Sequence, residues 1–541
     1  MTFKYLGQTG FGGYDRRIGA EDGAIHDMEN MSAKDAPVLR TRPRRLKYKG
    51  YAEFTPQGVY GNSEELFYIE GGKLMSKGVV LGEIDDTENI QSIIPIGNKL
   101  IIFPSWYSYD IDTGEMVNMR QPIRDTYDDG RTIDYRGYNL ESTHPYYGYL
   151  DVYSDELKKV FVKGNKVRYY FEVNDQYQRL EEEDTVIDVV NYDGKYLVKM
   201  LKHDFHGPGI GAQYTYNTFD FWNIRVILPE YEYVFHSDNR LWAYKDHDIR
   251  CTSLGMPTVW DDFSGLTTDS WAATVNGSDK ITGAGNVNGS PTFFCENCIY
   301  KIYGNNPTEY GYTRTEALGL KEGEQRSVAT GGQYIYYVSR RGICAYNGGI
   351  PTVISAPLAS EHFQNAVGGS DGVRYYLSCL EDTGRPSILV FDPALGYWMR
   401  EDTSQAVAFT NYHGNLIMQR TDGVIFGMGD CWPDPETEMT EDPFVFGIET
   451  STFIDQWYAK KGANRMLITY EAEPGTKGRI YVKYDDDPFQ VVSEIYPGKR
   501  HTEEIPLPAN RYDKMTINIT GHGEIKIWMM ARNTYASSER G

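Results

Sequence analysis

Short apolar segments recur along the chain in pairs, with a turn of about two to four residues between the two members of a pair. In one such unit, two short apolar runs predict antiparallel strands over Tyr334–Ser339 and 343–346, joined by residues 340–342. The pattern therefore predicts a chain built from short β-hairpins. Seven units of this kind begin near Asn62, Gly97, Asn239, Pro291, Gly332, Asp371 and His413.

The spacing of the later units distinguishes two all-β architectures. Asp238, Gly289, Gly332, Asp371 and His413 are separated by 51, 43, 39 and 42 residues, close to the length of a four-stranded propeller blade. Two sandwiches of unrelated hairpins are the alternative, but a sandwich has no reason to repeat at a fixed length. We predict an all-β protein, a β-propeller of about seven or eight blades with an inserted β domain and a C-terminal β-sandwich.

Interruptions of the spacing mark the domain boundaries. About 110 extra residues separate the second and third units, and their own alternation predicts a β-rich insertion. The stretch CWPDPETEMTEDP is rich in proline and acidic residues, which predicts a linker. The predicted domains are an N-terminal arm with a basic segment (1–55), the first blades (56–117), a platform-like β-rich insertion (118–230), the remaining blades (231–430), the linker (431–444) and the sandwich (445–541).

Composition agrees with this architecture and narrows the function classes. The chain of 541 residues contains 75 aromatic residues and 55 glycines, which suits many short strands joined by tight turns. A net charge of −22 disfavours broad wrapping of nucleic acid. The chain has neither an apolar run long enough to span a membrane nor a signal peptide at its start, so we expect neither a membrane span nor secretion by that route. Six cysteines in this length predict free thiols in a reducing cytoplasm.

Motifs for catalysis and cofactor binding are missing, so we predict no catalytic residue, no cofactor and no metal site. Cys295 and Cys298 flank a two-residue turn, where free thiols, a disulfide and a metal site all remain open. His203 and His206 precede Gly-Pro-Gly and are assigned to a surface loop rather than to a ligand pair. The glycines within residues 10–13 predict a flexible arm.

A basic segment departs from the acidic trend, and its proline and clustered charge oppose a helix. A solvated arm, a contact with an acidic neighbouring chain and a phosphate contact are three interpretations. We predict an assembly contact, and we expect that replacing the four arginines by serine leaves the propeller folded while weakening assembly in a salt-sensitive way. The six cations of this segment are Arg40, Arg42, Arg44, Arg45, Lys47 and Lys49.

Several segments resemble bacteriophage virion proteins. The stretch AIHDMENMSAKDAPVLRTRPRR is similar to the opening of tail-associated propeller proteins, in which an N-x-[ST] motif, a proline and a basic arm follow one another. SLGMPTVWDDFSG (253–265), SPTFFCENCIYKIYG (290–304) and FDPALGYWMRED (391–402) are similar to blades of those proteins. The last 95 residues or so resemble the β-sandwich that often ends them. The whole arrangement resembles the tail nozzle of short-tailed phages.

This resemblance implies a function and a set of partners. In such nozzles a ring of propeller subunits below the adaptor closes the DNA exit channel, and an inserted domain, here 118–230, forms the ring platform. It implies a non-enzymatic structural protein of the virion tail, assembled in the host bacterial cytoplasm as a homo-oligomer, by resemblance a hexamer. Its other partners would be the head-tail adaptor and adjacent tail proteins. During DNA ejection, an acidic wall would repel phosphates, so that DNA passes without specific binding.

A tail-tip propeller that binds a receptor or degrades glycans is the alternative. Trp106, Tyr107 and Tyr109 would then act as platforms for sugar rings. Binding to glycans, or release of reducing sugar from host cell wall, would separate this alternative from the structural role.

Overall fold

The computed structural model of the protein describes most of the chain, and two compact units can be distinguished within it. One unit comprises Met1–Gly71 with Ala317–Gly541, and the other comprises Gly72–Glu316. The described residues are 3–8, 11–17, 20, 23–126, 133–134, 150–152, 155–173, 178–192, 195–202, 219–429, 439–454 and 460–536. His203, His206 and residues 431–438 of the predicted linker lie outside them.

The chain is an all-β protein with a β-propeller, an inserted β domain and a C-terminal β-sandwich, as the sequence predicts. Its N-terminal residues do not form a separate arm, because they provide strands to other sheets. These strands are β1 (Phe3–Gln8), β2 (Ile25–Glu29), β3 (Met31–Ser32), β4 (Leu39–Thr41) and β5 (Leu46–Lys49).

The first two blades follow directly. The boundary between the two compact units falls inside the first blade, at Gly71. The first blade contains β6 (Pro56–Gly61), β7 (Leu66–Glu70), β8 (Lys73–Ser76) and β9 (Val79–Glu83). The second contains β10 (Ser92–Ile96), β11 (Lys99–Phe103), β12 (Tyr107–Asp110) and β13 (Met116–Asn118).

The inserted domain is a seven-stranded antiparallel sheet with a short helix. Its strand order is β14-β20-β17-β18-β19-β16-β15, so its first and last strands are neighbours in the sheet. The elements are β14 (Ile123–Thr126), β15 (Ile133–Asp134), β16 (Leu150–Val152), α1 (Asp155–Val160), β17 (Lys166–Val173), β18 (Gln178–Tyr192), β19 (Lys195–Met200) and β20 (Phe219–Val226).

Five further blades follow the insertion. Tyr334–Ser339 and Gly342–Tyr346 pair antiparallel, with Ser339 opposite Gly342 next to the turn. This confirms the hairpin predicted there, and its turn is one residue shorter than predicted. The strands are β21 (Tyr233–Ser237), β22 (Arg240–Lys245), β23 (Asp248–Cys251) and β24 (Trp271–Thr274); β25 (Gly283–Val287), β26 (Ser290–Phe294), β27 (Cys298–Tyr303) and β28 (Gly311–Glu316); β29 (Ala329–Gly331), β30 (Tyr334–Ser339), β31 (Gly342–Tyr346) and β32 (Thr352–Val353); β33 (Gln364–Ser370), β34 (Tyr375–Leu380), β35 (Pro386–Asp392) and β36 (Tyr397–Arg400); and β37 (Ala406–Tyr412), β38 (Asn415–Arg420) and β39 (Ile425–Met428).

The last blade obtains its fourth strand from the beginning of the chain. Strand β5 pairs antiparallel with β39, with Lys47 opposite Phe426 and Leu46 opposite Gly427. This joins residues that are far apart in the sequence, and it completes a four-stranded blade that β37, β38 and β39 cannot complete alone.

Glycines allow the inner strands to approach one another closely. A Cβ atom on Gly61 of β6 would lie 2.7 Å from Cβ of Tyr412, and one on Gly369 of β33 would lie 2.5 Å from Cβ of Phe409. No larger side chain fits at such distances without movement of the backbone. The small residues that precede the hairpins in the sequence therefore allow adjacent blades to pack closely.

The C-terminal sandwich contains strands from both ends of the chain. One sheet has the order β3-β4-β48-β42-β45, with β1 beside β48 and β46 beside β42; the other has the order β2-β41-β47-β43-β44. Its strands are β41 (Val445–Thr450), β42 (Lys461–Ala472), β43 (Lys477–Tyr484), β44 (Gln490–Ile495), β45 (Gly498–Pro506), β46 (Arg511–Tyr512), β47 (Met515–His522) and β48 (Ile525–Ala536), while β40 (Met439–Thr440) pairs with β5 in the last blade.

Each unit has buried apolar cores of its own. In the unit that carries the sandwich, one cluster runs from Met28 of the N-terminal region through Trp398 of a blade to Ile519 of the sandwich. In the other unit, Trp106 and Trp260 pack edge to face within a cluster that includes inserted-domain residues. The continuous cluster means that N-terminal strands, late blades and sandwich pack as one body.

Candidate assembly site

The basic segment lies in two strands and the turn between them. Leu39–Thr41 pairs with β48 in the sandwich, and Leu46–Lys49 pairs with β39 in the last blade. Pro43 lies between them, where a residue without a backbone N–H interrupts neither ladder. The segment therefore links the sandwich to the propeller rather than forming an extended solvated arm.

Arg42 is buried in this link, with 3% of its surface exposed. Its Nε donates to Oδ1 of Asn30 at 2.7 Å, and its two terminal nitrogens donate to the two carboxylate oxygens of Glu441 at 2.7 and 3.0 Å. The ring of Phe444 lies 4.2 Å from the guanidinium carbon. Such bidentate pairing with stacking satisfies a buried guanidinium.

Arg45 is buried even more completely, at 1% exposure. It donates to Oδ2 of Asp402 at 2.7 Å and to Oε2 of Glu401 at 2.6 Å. Both acidic residues directly follow β36, so the blade meets the link here. The backbone N–H of Arg45 also donates to Glu441, and the backbone N–H of Glu441 donates to the carbonyl of Arg45.

The charges of this cluster shift the ionisation of its carboxylates. Burial opposes the charged form of Asp402, but the adjacent guanidinium groups of Arg45 and Arg42 outweigh it and lower the pKa to about 2. Burial likewise opposes the charged form of Glu441, and hydrogen bonds from Arg42 lower its pKa. These perturbed groups belong to a structural junction rather than to an open catalytic cleft.

The other four cations of the segment also have partners within the chain. Arg40 pairs with Asp35 at 2.9 Å, and Arg44 pairs with Glu524 at 2.8 Å. Lys49 forms an ion pair with Glu70, and the ammonium of Lys47 lies 5.6 Å from the ring centre of Tyr51. Because the side chains of Arg40 and Arg44 stay 24% and 37% exposed, these two are the arginines of the segment that a neighbouring chain could reach. The assembly contact itself remains a prediction.

A second buried polar cluster connects the N-terminal region to a blade, and the sequence gives no sign of it. Arg400, fully buried, donates to Oγ of Ser387 and to the carbonyl of Met28, both at 3.0 Å. Ser387 donates to Glu381, which also accepts from Arg16 at 3.0 Å. Arg16 and Met28 lie more than 350 residues from the blade residues of this cluster, so no local motif could reveal it.

The glycine-rich segment is ordered where the structure describes it, which corrects the expectation of a flexible arm. The backbone N–H of Tyr14 donates to the carbonyl of Trp398 at 2.7 Å. A Cβ atom on Gly13 would lie 2.6 Å from that same carbonyl oxygen. Glycine at position 13 therefore permits direct packing of the chain on β36. A cavity of about 610 Å³ borders this contact, lined by Tyr14, Asp15, Arg17 and Trp398 among others.

The aromatic residues named for the glycan-binding alternative are not available to a sugar. Trp106 is fully buried, and Tyr107 and Tyr109 are 8% and 7% exposed. The ring of Trp106 packs edge to face against the rings of Phe103 and Trp260. A sugar platform needs an open ring face, so this hypothesis would have to use other residues.

Other candidate chemistry is sparse. Cys295 and Cys298 are free and buried. In the described ranges, no cluster of three or more His, Cys, Asp or Glu side chains could hold a metal ion. No helix of this part of the chain is long and apolar enough to cross a membrane.

Comparisons with known proteins do not identify a function. No protein-family model and no curated protein matches the sequence. Among solved structures, an exo-β-1,3-galactanase from Phanerochaete chrysosporium aligns at 9% identity and a TM-score of 0.23, covering 57% of this chain and 97% of its own. Puromycin hydrolase aligns at 11% identity and a TM-score of 0.26, covering 68% and 58%. PorZ, a surface component of the type-IX secretion system of Porphyromonas gingivalis, aligns at 9% identity and a TM-score of 0.17, covering 83% and 64%. Alignments this weak carry no argument about activity.

Proposed function

We propose that this chain is a non-enzymatic structural protein of a bacteriophage tail, which assembles with copies of itself into a ring that lines or closes the DNA exit channel. The observation that carries the proposal is the use of buried charge. Arg42 and Arg45 form ion pairs with the carboxylates of Glu401, Asp402 and Glu441 in a junction between sandwich and blade. Ion pairs buried in this way join sandwich and blade, and the side chains that form them are not available as catalytic acids or bases.

Rigidity supports the same proposal. A shared core from Met28 to Ile519 and the polar junction join sandwich and late blades into one body. A component that transmits force in a particle needs such continuity, because domains joined only by linkers move relative to one another.

The distribution of charge supports passage of DNA without binding. Residues 445–541 contain 13 basic and 13 acidic residues, so the excess of negative charge belongs to the rest of the chain. Residues 56–117, in the first blades, contain ten acidic and three basic residues. A ring whose blades carry this charge would repel the phosphate backbone.

The oligomeric mass of the purified chain, measured by light scattering, and negative-stain images test the proposal. We expect a closed ring with a central hole. A monomer at every protein concentration and ionic strength would overturn it.

Activity assays test the non-enzymatic part separately. We expect no release of reducing sugar from host cell wall and no retention of duplex DNA at physiological salt. Catalytic release of sugar that persists in a preparation of homogeneous protein would favour the glycan-degrading alternative instead.

A further inference from the structure

Cys295 and Cys298 occupy facing positions of one hairpin. The backbone N–H of Cys295 donates to the carbonyl of Cys298 at 2.9 Å, and the next pair along the ladder is Phe294↔Ile299. Directly opposed residues of antiparallel strands have Cα atoms about 4.5–5.5 Å apart, inside the range that a disulfide spans. The Cα separation typical of such facing positions therefore allows a bond between the two sulfur atoms.

The two thiols have different surroundings. The Sγ atom of Cys295 donates to the carbonyl of Asp279 at 3.6 Å. Burial, with the neighbouring Cys298, raises the pKa of Cys295 above its usual value, so this thiol retains its proton. Arg314 pairs opposite Tyr300, and Cys298 lies two residues before Tyr300, so Arg314 lies diagonally across from Cys298 on the same face of the sheet.

The surface lies close to this pair. Both cysteines are buried, whereas Asn297 in the turn between them is exposed and the side chain of Arg314 is 39% exposed. The turn and the guanidinium are therefore parts of this site that face solvent.

We propose that Cys295 and Cys298 form a dithiol site that hydrogen peroxide converts to a disulfide. The sulfur of Cys298 gives up its proton and attacks one peroxide oxygen, the O–O bond breaks, and the products are a sulfenic acid and a water formed from the leaving hydroxide and that proton. Cys295 then attacks the sulfenic sulfur, the S–S bond forms, and the hydroxyl leaves with the thiol proton as a second water. Two thiols thus give up two electrons, and one peroxide is reduced to two waters.

The remaining described cysteines provide internal controls. Cys251, Cys344 and Cys379 are likewise free and buried, but they lie on three different blades. The sulfur of Cys344 hydrogen-bonds with Ser339 rather than with a second thiol. Burial alone therefore does not distinguish the proposed pair, whereas a facing thiol does.

Peptide mapping of the full-length protein after treatment with hydrogen peroxide tests the proposal. Thiols that stay free are alkylated after unfolding, and the dose is calibrated by sulfoxide formation at Met256, which is 46% exposed. We expect the peptide that contains both cysteines to lose two hydrogen atoms and to resist alkylation, while Cys251, Cys344 and Cys379 stay alkylatable. If Cys295 and Cys298 stay alkylatable at a dose that oxidises Met256, the proposal is wrong.

Variants separate the roles of the two sulfur atoms. Cys295→Ser should leave a sulfenic acid at Cys298 that a dimedone probe traps, whereas Cys298→Ser should leave Cys295 unlabelled. Arg314→Gln should slow disulfide formation by roughly tenfold, and Arg465→Gln, at an exposed arginine of the sandwich, should not. Dimedone labelling of Cys295 in place of Cys298, or an unchanged rate in Arg314→Gln, would overturn the assigned chemistry.

Discussion

At the scale of single residues, the same basic segment contains arginines in two very different environments. Arg45 is 1% exposed and holds two carboxylates of the blade, whereas the side chain of Arg44 is 37% exposed and pairs with Glu524 at the surface. Removing one partner of a buried pair leaves an uncompensated charge, whereas a surface pair contributes little.

Arg45→Met should therefore destabilise the protein by about 3–5 kcal/mol, because Glu401 and Asp402 lose their buried partner. Arg44→Met should cost no more than about 1 kcal/mol. Unfolding in urea, followed by tryptophan fluorescence, compares the two variants. Equal midpoints would show that burial of Arg45 does not matter.

Asp402 gives the junction a defined dependence on pH. Its pKa in the folded state is lowered from about 4 to about 2, so its ion pairs stabilise the fold above about pH 4, and this contribution is lost as the pH falls towards 2. Asp402→Asn should destabilise the protein near neutral pH and flatten its stability between pH 4 and 2. Asp486→Asn, at a carboxylate that is 92% exposed, is the control and should follow the wild type. A parallel acid profile for Asp402→Asn and wild type would contradict this.

At the scale of elements, short apolar runs separated by turns were enough to predict hairpins but not their partners from the N-terminal region. Tyr334–Ser339 is a short, mostly apolar run followed by a tight turn, so its strand pairing is decided within a dozen residues. Lys47 pairs opposite Phe426, and Leu39 opposite Ile527, across nearly the whole chain. The carboxylates that hold Arg42 and Arg45 are more than 350 residues away, so the sequence could identify the cations but not their burial.

The close approach of inner strands gives a test of the blade packing. Gly369→Ala should cost about 1–3 kcal/mol, because its Cβ would lie 2.5 Å from Cβ of Phe409 on the adjacent inner strand. Gly50→Ala is the matched control, since a Cβ there meets nothing within 4 Å. Thermal unfolding should show a lower midpoint for Gly369→Ala alone. Similar midpoints for the two variants would mean that the inner strands separate without cost.

At the scale of the whole molecule, residues from both ends of the chain are needed to form the body that contains the sandwich and the last blades. The sandwich contains β1 to β4 from the N-terminal region, and the last blade contains β5. Residues 445–541 expressed alone should therefore fail to give a cooperative unfolding transition, because Ile448 and its neighbours would lose the apolar surface supplied by Met28. Addition of a peptide of residues 1–50 should increase the β-structure measured by circular dichroism. A stable, monomeric sandwich without that peptide would refute this dependence.

Assembly can be separated from folding because the arginines of the basic segment differ in burial. The sequence alone predicts that serine at positions 40, 42, 44 and 45 leaves the propeller folded. Arg42 and Arg45 are buried in ion pairs, however, so the quadruple variant should unfold readily.

The double variant Arg40→Ser and Arg44→Ser removes two partly exposed charges and should keep the wild-type melting temperature within a few degrees. If the segment contacts a neighbouring chain, this double variant should assemble more weakly than the wild type at low salt. The difference should shrink as salt screens the contact in both proteins. Light scattering across a salt series measures this difference in assembly. The control is the double variant Arg465→Ser and Arg479→Ser, which removes the same amount of positive charge from the sandwich. Assembly of the folded double variant at the wild-type level in every salt concentration would show that the segment serves only the junction within its own chain.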